Sequence, residues 1–193
     1  MRYIIDRHSE GLPLGKHDES RVILAKSGEP EEVVIELTEP GAELTLYVLG
    51  RAESGQTLSA KTRIIHKAPG TKSQTIVRCV ALGDGHLSLS GAVELPAGAQ
   101  GADGRFKADI LLAGDNASAE AFPILEVGEN EVSAAHSASV GRVSDEQLFY
   151  LQSRGLAPEE ATALIVAGFF QPILAGLGNQ TKENITKELY ATR

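Results

Sequence analysis

The texture of the chain changes across residues 133–155, SAAHSASVGRVSDEQLFYLQSRG: strand-like segments dominate before this stretch and helical ones after it. Upstream, short β-rich segments recur at residues 33–37, 43–49, 58–66, 74–81, 86–94, 105–112, 118–127 and 131–136. Several alternate apolar and polar residues, as in Leu44-Thr45-Leu46-Tyr47-Val48 and His86-Leu87-Ser88-Leu89-Ser90, which turns one side to a core and the other to water. Turns separate them at Gly70, Gly83-Asp84-Gly85, residues 98–104 and Gly114-Asp115-Asn116. Strands this closely spaced argue for a sandwich, barrel or solenoid rather than βαβ units, and periodicity does not choose among the three. No internal repeat is sharp enough to select the solenoid.

At the handover, Ser144-Asp145-Glu146-Gln147 reads as a helix start: Ser144 is placed to cap the amide three residues on, Gln147 to reach back, and two acids sit in the first turn. Leu148 to Leu151 follow as an apolar run, and Arg154-Gly155 closes the helix. A second helix begins near Pro158 with Glu159 and Glu160 behind it. It carries two apolar stripes, one of Ala161, Leu164, Ile165, Gly168 and Phe169, the other of Val166, Phe170, Ile173, Leu174 and Leu177. A helix apolar on two sides needs more cover than one small core offers, and Pro172 is expected to kink or divide it. Residues 181–190 read as a last short helix buried along Ile185 and Leu189. The chain thus divides into a loosely packed polar lead-in (1–31), a β core (32–142) and a helical segment (143–193).

With 193 residues the chain has the size of one domain. A net charge of −8 argues against a nucleic-acid partner, because displacing counterions from phosphates needs a basic face. A single cysteine excludes an internal disulfide framework, fits a reducing compartment, and rules out a four-cysteine cluster site built from one chain. Neither a signal-peptide core nor a membrane span is evident, so the cytoplasm is the expected location and no membrane partner is expected.

Taken singly, most chemistry-bearing residues have structural readings. Cys79 lies in a strand and is expected to pack as a small apolar group. His66 and His86 are strand-end residues expected to be exposed, and a lone His136 at a strand end has the same plain reading. Asp109, Asp115 and Glu120 are the carboxylates a carbohydrate-acting β-helix enzyme would use as a pair, though acids in turns mostly cap amides. Glu126, Glu129 and Glu131 read as a solvated edge. Gly70-Thr71-Lys72-Ser73 lacks the earlier glycine of a phosphate loop, and no hydrolase motif is present.

His136, Ala138-Ser139-Val140-Gly141, Asp145 through Leu151, Ser153-Arg154-Gly155, Glu160-Ala161 and Gly168-Phe169 together resemble the C-terminal signature of the SufB/SufD family of iron-sulfur cluster assembly proteins. Upstream, Leu111 to Asp115, Ala117 and Pro123 to Val127 resemble that family's core, so the likeness spans roughly residues 60–175. It implies a right-handed parallel β-helix with a C-terminal helical segment. It also implies that His136 is an interfacial iron ligand, neutral imidazole being competent for iron. SufB-like chains carry a glutamate directly after this histidine and a cysteine where Ala108 aligns; here Ser137 and Ala108 stand instead, so the chain resembles SufD more than SufB.

The implied role is a non-catalytic component that pairs with itself or with a SufB-like chain and binds a SufC-like ABC-type ATPase through the helices, at Phe149, Arg154, Leu164, Ile165, Phe169 and Phe170. No cofactor would be held stably by this chain; iron or a nascent iron-sulfur cluster would sit at a subunit interface. A carbohydrate-acting enzyme and a purely architectural module are the alternatives.

Overall fold

The computed structural model describes residues 3–5, 12–14, 19–28 and 31–190. Strands alternate between two sheets as the chain advances. One sheet runs β1 (Tyr3–Ile5), β3 (Glu19–Ala25), β5 (Glu43–Ala52), β7 (Lys72–Leu82), β9 (Asp103–Ala113) and β11 (Ser133–Arg142). The other runs β2 (Leu12–Leu14), β4 (Glu31–Leu37), β6 (Thr57–His66), β8 (His86–Leu95) and β10 (Ser118–Val127). Every pairing between these strands is parallel, which makes the molecule a parallel β-helix of about four turns, followed by α1 (Asp145–Ser153), α2 (Pro158–Leu174) and α3 (Asn179–Leu189).

The alternation in the sequence supplies the lumen. Leu46 and Val48 of β5, Val77 and Cys79 of β7, and Phe106, Ala108 and Ile110 of β9 point inward against Leu58, Ile64, Leu87, Leu89 and Val93 of the opposite sheet. Room for Phe106 comes from Gly91 across the lumen, where a Cβ would lie 1.9 Å from the ring. Outward residues form ladders between coils, such as Arg63 with Glu94 and Lys67 with Glu36 at 2.7 Å. Cross-coil hydrogen bonds join residues 29, 30, 31 or 32 positions apart, so the coil length drifts and no fixed period appears in the sequence.

The helical layer lies on the outer face of the sheet containing β5 and β7. Val166, Phe170, Ile173 and Leu174 of α2, with Leu177 and with Ile185 and Leu189 of α3, cover Val22, Leu49 and Val80. Fully burying a side chain such as Phe170 contributes about 1.5–3 kcal/mol. The doubly apolar helix therefore spends one stripe on the side of the solenoid and leaves the end of the solenoid open.

Four local expectations are corrected. Ser144 makes no side-chain cap; its carbonyl accepts from Leu148 instead, and the acids Asp145 and Glu146 complement the helix dipole. α2 runs undivided through Pro172, because this residue stands in the last turn, where only the Gly168 carbonyl loses a donor. Within the lead-in, Glu19–Ala25 is a strand with Val22 and Ile23 buried, since β5 offers it a sheet edge and α2 and α3 cover Val22. His66 is fully buried, because the chain turns inward at the corner between β6 and β7.

Candidate functional site

Among the described residues, the terminal coil of β10 and β11 differs from those beneath it in having no strand above. Each strand has a neighbour on one side only, β8 for β10 and β9 for β11. Ser133 and Val143 donate their amides to Ala102 and Leu112 on the β9 side. Because the backbone groups of successive residues point to opposite sides of a strand, those of Ala134, His136, Ala138 and Val140 face the free edge. On β10, Ser118 and Gly128 donate to Gly85 and Leu95 on the β8 side, so the free edge belongs to Ala119, Ala121, Pro123 and Leu125. Pro123 thus lacks its N–H on the free edge, where no bond to β8 is lost.

His136 pairs in register with Phe106, whose side chain belongs to the core, so the imidazole extends a lumen-facing column and is exposed through the open end. Along the same column Ala138 stands over Ala108, and Ala134 over Gly104. Ala108 is 1 % exposed. Positions 108 and 136 are thereby brought together on the lumen side, one coil and one pleat apart. Ser137 faces outward, in register with Lys107. Around this mouth Ala119, Ala121, Leu125, Val132 and Ala134 pack on the core while staying partly exposed.

Arg142, which sequence reasoning passed over, pins the end of β11. Its Nη1 donates to the carbonyls of Gly114 at 2.9 Å and Asp115 at 3.3 Å, and its Nη2 to that of Ala117 at 3.3 Å. Only its position directly after Gly141 marked it; the turn it grips lies a whole coil earlier in the sequence.

Among the described residues, His66, His86 and Cys79 have structural roles. Thr71 donates its hydroxyl to the Ala68 carbonyl at 3.0 Å, so towards His66 it accepts from Nδ1–H at 2.8 Å. Nε2 is then bare and accepts from the Ser73 hydroxyl at 2.8 Å. Burial lowers the His66 pKa to about 4, so the ring is neutral, and Gly104 leaves room for it where a Cβ would stand 3.1 Å from Nε2. His86 is half-buried on the outer face of its sheet and shares a 2.9 Å hydrogen bond with Ser118. Burial pushes the Cys79 thiol up to about 12.

The three candidate carboxylates do not converge. Asp109 is on the outer face of the sheet containing β9, where it meets Lys107 at 3.2 Å; Glu120 is on the outer face of the opposite sheet, and Asp115 lies in the turn between. Two faces that point away from each other supply no paired acids for glycosyl chemistry. Among the described residues no three His, Cys, Asp or Glu side chains are grouped to hold a metal ion. No described helix is long and apolar enough to cross a membrane.

The residues expected to meet a partner divide by exposure. Helix α1 buries none of its residues; Phe149 is 75 % and Tyr150 56 % exposed, and the Arg154 guanidinium lies over the Tyr150 ring at 5.3 Å. On α2, Leu164 is 51 % exposed and Ile165 half-buried. Phe169 is half-buried beneath Arg78, and Phe170 is fully buried against the solenoid, which removes it from the accessible set.

These features define a two-sheet parallel β-solenoid protein, sheathed by helices on one face and, among the described residues, open beyond β10 and β11. Over residues 22–169 the sequence matches the family described as "SUF system FeS cluster assembly, SufBD core domain", and the chain belongs to this SufBD family. It is 38 % identical over 122 residues to an iron-sulfur cluster assembly SufBD family protein of Mycobacterium leprae, covering 63 % of this chain and 14 % of that protein. It is 36 % identical over 132 residues to a protein of the same description from Staphylococcus aureus, covering 68 % of this chain and 28 % of that protein. The chain therefore matches less than a third of the length of either relative.

Proposed function

We propose that this chain is a non-catalytic, SufD-like component of iron-sulfur cluster assembly in the cytoplasm. It pairs through its open terminal coil with a second copy or with a SufB-like chain, and iron or a nascent cluster is its cargo. The observation that carries the reading is the uncapped coil itself: two unpaired strand edges frame a lumen mouth in which His136 is exposed. Unpaired edges invite pairing with another chain. Side-chain chemistry on β10 points the same way. Outward-facing Phe122 and Ile124 are 54 % and 42 % exposed, whereas Ser90 and Ala92, then Lys61 and Arg63, occupy the positions beneath them. His136 contributes one imidazole; the remaining ligands, thiolate included, come from the other chain.

The second surface is the exposed face of α1 and α2, where Phe149, Tyr150, Leu164, Ile165 and the Arg154 cation receive a SufC-like ABC-type ATPase. An aromatic cluster with a flanking arginine has the composition of a binding hot spot.

Ala138→Pro tests the pairing, because it removes an amide that faces the free edge and leaves the bonds to β9 intact. The expected result is a monomer by light scattering, with no capture of a SufB-like chain and near-native circular dichroism. Unchanged pairing sinks the first part of the reading. Phe149→Glu with Leu164→Glu is expected to weaken ATPase capture at least tenfold, roughly 1.4 kcal/mol; equal affinity sinks the second. Anaerobic reconstitution with iron and sulfide, comparing the native pair with His136→Ala, reads the ligand role by its absorption spectrum.

A further inference from the structure

One polar column joins the helical layer to the terminal strand. Arg78 of β7, Asp109 of β9 and Ser139 of β11 are consecutive in register on the outer face of their sheet. The Arg78 guanidinium donates from Nη1 to the Phe169 carbonyl of α2, lies over the Phe169 ring at 5.2 Å, and meets Asp109 through Nη2 at 3.6 Å. Asp109 in turn accepts from the Ser139 hydroxyl at 2.9 Å and faces Lys107 at 3.2 Å. Arg78 and Asp109 are only 19 % and 17 % exposed, so their pairing is little screened.

The apolar contacts of the helical layer stop short of this strand. They reach Val22, Leu49 and Val80 on β3, β5 and β7, and Leu111 and Ala113 on β9, but no residue of β11. What crosses to β11 is the polar column. Ser139 lies three residues beyond His136 on the same strand, and the other edge of β11 is free.

We propose that Arg78, Asp109 and Ser139 form a latch through which the seating of α2 on the solenoid holds the terminal strand, and with it His136, in position. Release of α2 frees the Arg78 guanidinium and weakens the grip of Asp109 on Ser139, so β11 loosens when the helix lifts. Asp109 and Arg78 are positioning residues in this device. Its use in cluster assembly rests on the function proposed above, but the latch belongs to the isolated chain and is read without any partner. Its failure therefore leaves that function standing, and loss of partner binding leaves the latch standing.

Hydrogen exchange on the full-length chain, resolved by segment, is the test. Arg78→Met keeps the aliphatic stem over Phe169, removes the charge, and touches no atom of β11. The latch requires exchange in β11 and in the C-terminal half of α2 to rise by about tenfold or more, with β5 and β6 unchanged. Asp109→Ala should reproduce the β11 effect, and Ser139→Ala should loosen β11 while leaving α2 at its native rate. Native exchange in β11 of Arg78→Met overturns the proposal. So does a rise of equal size in every strand, which reports loss of overall stability. Asp109→Asn, which retains an acceptor for Ser139 but loses the charge facing Arg78, should loosen α2 more than β11; the reverse order also overturns it.

Discussion

The inner coils and the terminal coil use the same strand alternation, yet they impose different demands on their residues. In the inner coils each inward side chain is covered from above, below and across the lumen: Phe106 is 4 % exposed and Leu46 fully buried. In the terminal coil the same inward column continues as His136, Ala138 and Val140, and Val140 is 50 % exposed. In the inner coils His66 finds both its hydrogen bonds within the chain, from Thr71 and Ser73, while the buried hydroxyls of Thr62 and Thr75 go without a partner. The terminal coil can leave an imidazole unmatched within the chain, because solvent or another chain can meet it. A polar side chain at the open end is thus spared the desolvation cost that burial imposes on His66.

The contrast is broken or sharpened most strongly at the aromatic rings. Phe106→Ala should cost about 3–5 kcal/mol by chemical denaturation, because the lumen around it cannot collapse. Phe122→Ala, on the outer face of the terminal coil, should change the stability of the single chain by less than about 0.5 kcal/mol. Equal costs would show that the terminal coil is covered within one chain.

Next in size is the response to pH. His66 has a folded pKa of about 4 against an ordinary 6.5, so the unfolded chain binds more protons between those values. Its stabilising contribution is complete above pH 6.5 and is lost as pH falls towards 4, amounting to roughly 3 kcal/mol. The Ser54 hydroxyl and the Gly55 amide hold the Asp84 carboxyl low, as the Gly98 and Asn130 amides do for Glu129, so their contributions are lost at more acidic pH, as each protonates. Denaturation midpoints measured from pH 7.5 to 4.5 should fall for the native chain and flatten for His66→Gln.

Glycine positions give a smaller effect. Gly91→Ala pushes a Cβ into the Phe106 ring and should cost about 1–3 kcal/mol, whereas nothing lies within 4 Å of a Cβ at Gly141. Gly141→Ala should therefore be neutral in a thermal melt of the single chain. The smallest effect belongs to the surface ladders: Arg63→Gln should leave the denaturation midpoint almost unchanged, the more so in high salt, since the Arg63 side chain is half exposed.

Much of this architecture was legible in advance, and particular residues show why. Leu44 to Val48 and His86 to Ser90 alternate because each strand has one face in the lumen, so strand positions could be read directly. Pro158 and Arg154-Gly155 marked helix ends because terminal backbone groups have local requirements. The β-rich texture marked a strand at residues 131–136, and β11 runs on from Ser133 to Arg142. The burial of His66 was not legible, since its partners Thr71 and Ser73 are ordinary turn and strand residues until the corner brings them together. Nor was the column of Arg78, Asp109 and Ser139, which are 30 or 31 residues apart in a coil whose length varies.

The sequence by itself determined which strand residues turn inward and where strands end and helices start. These properties depend on neighbours within a few positions, where φ and ψ preferences and side-chain periodicity act. Tertiary structure alone decided that the helices sheathe the side of the solenoid rather than its end, that Phe170 is hidden while Phe149 is exposed, and that His136 stands in an open mouth. Those outcomes follow from which coil lies above which, a relation set by parallel pairing about thirty residues along the chain and invisible to any short window.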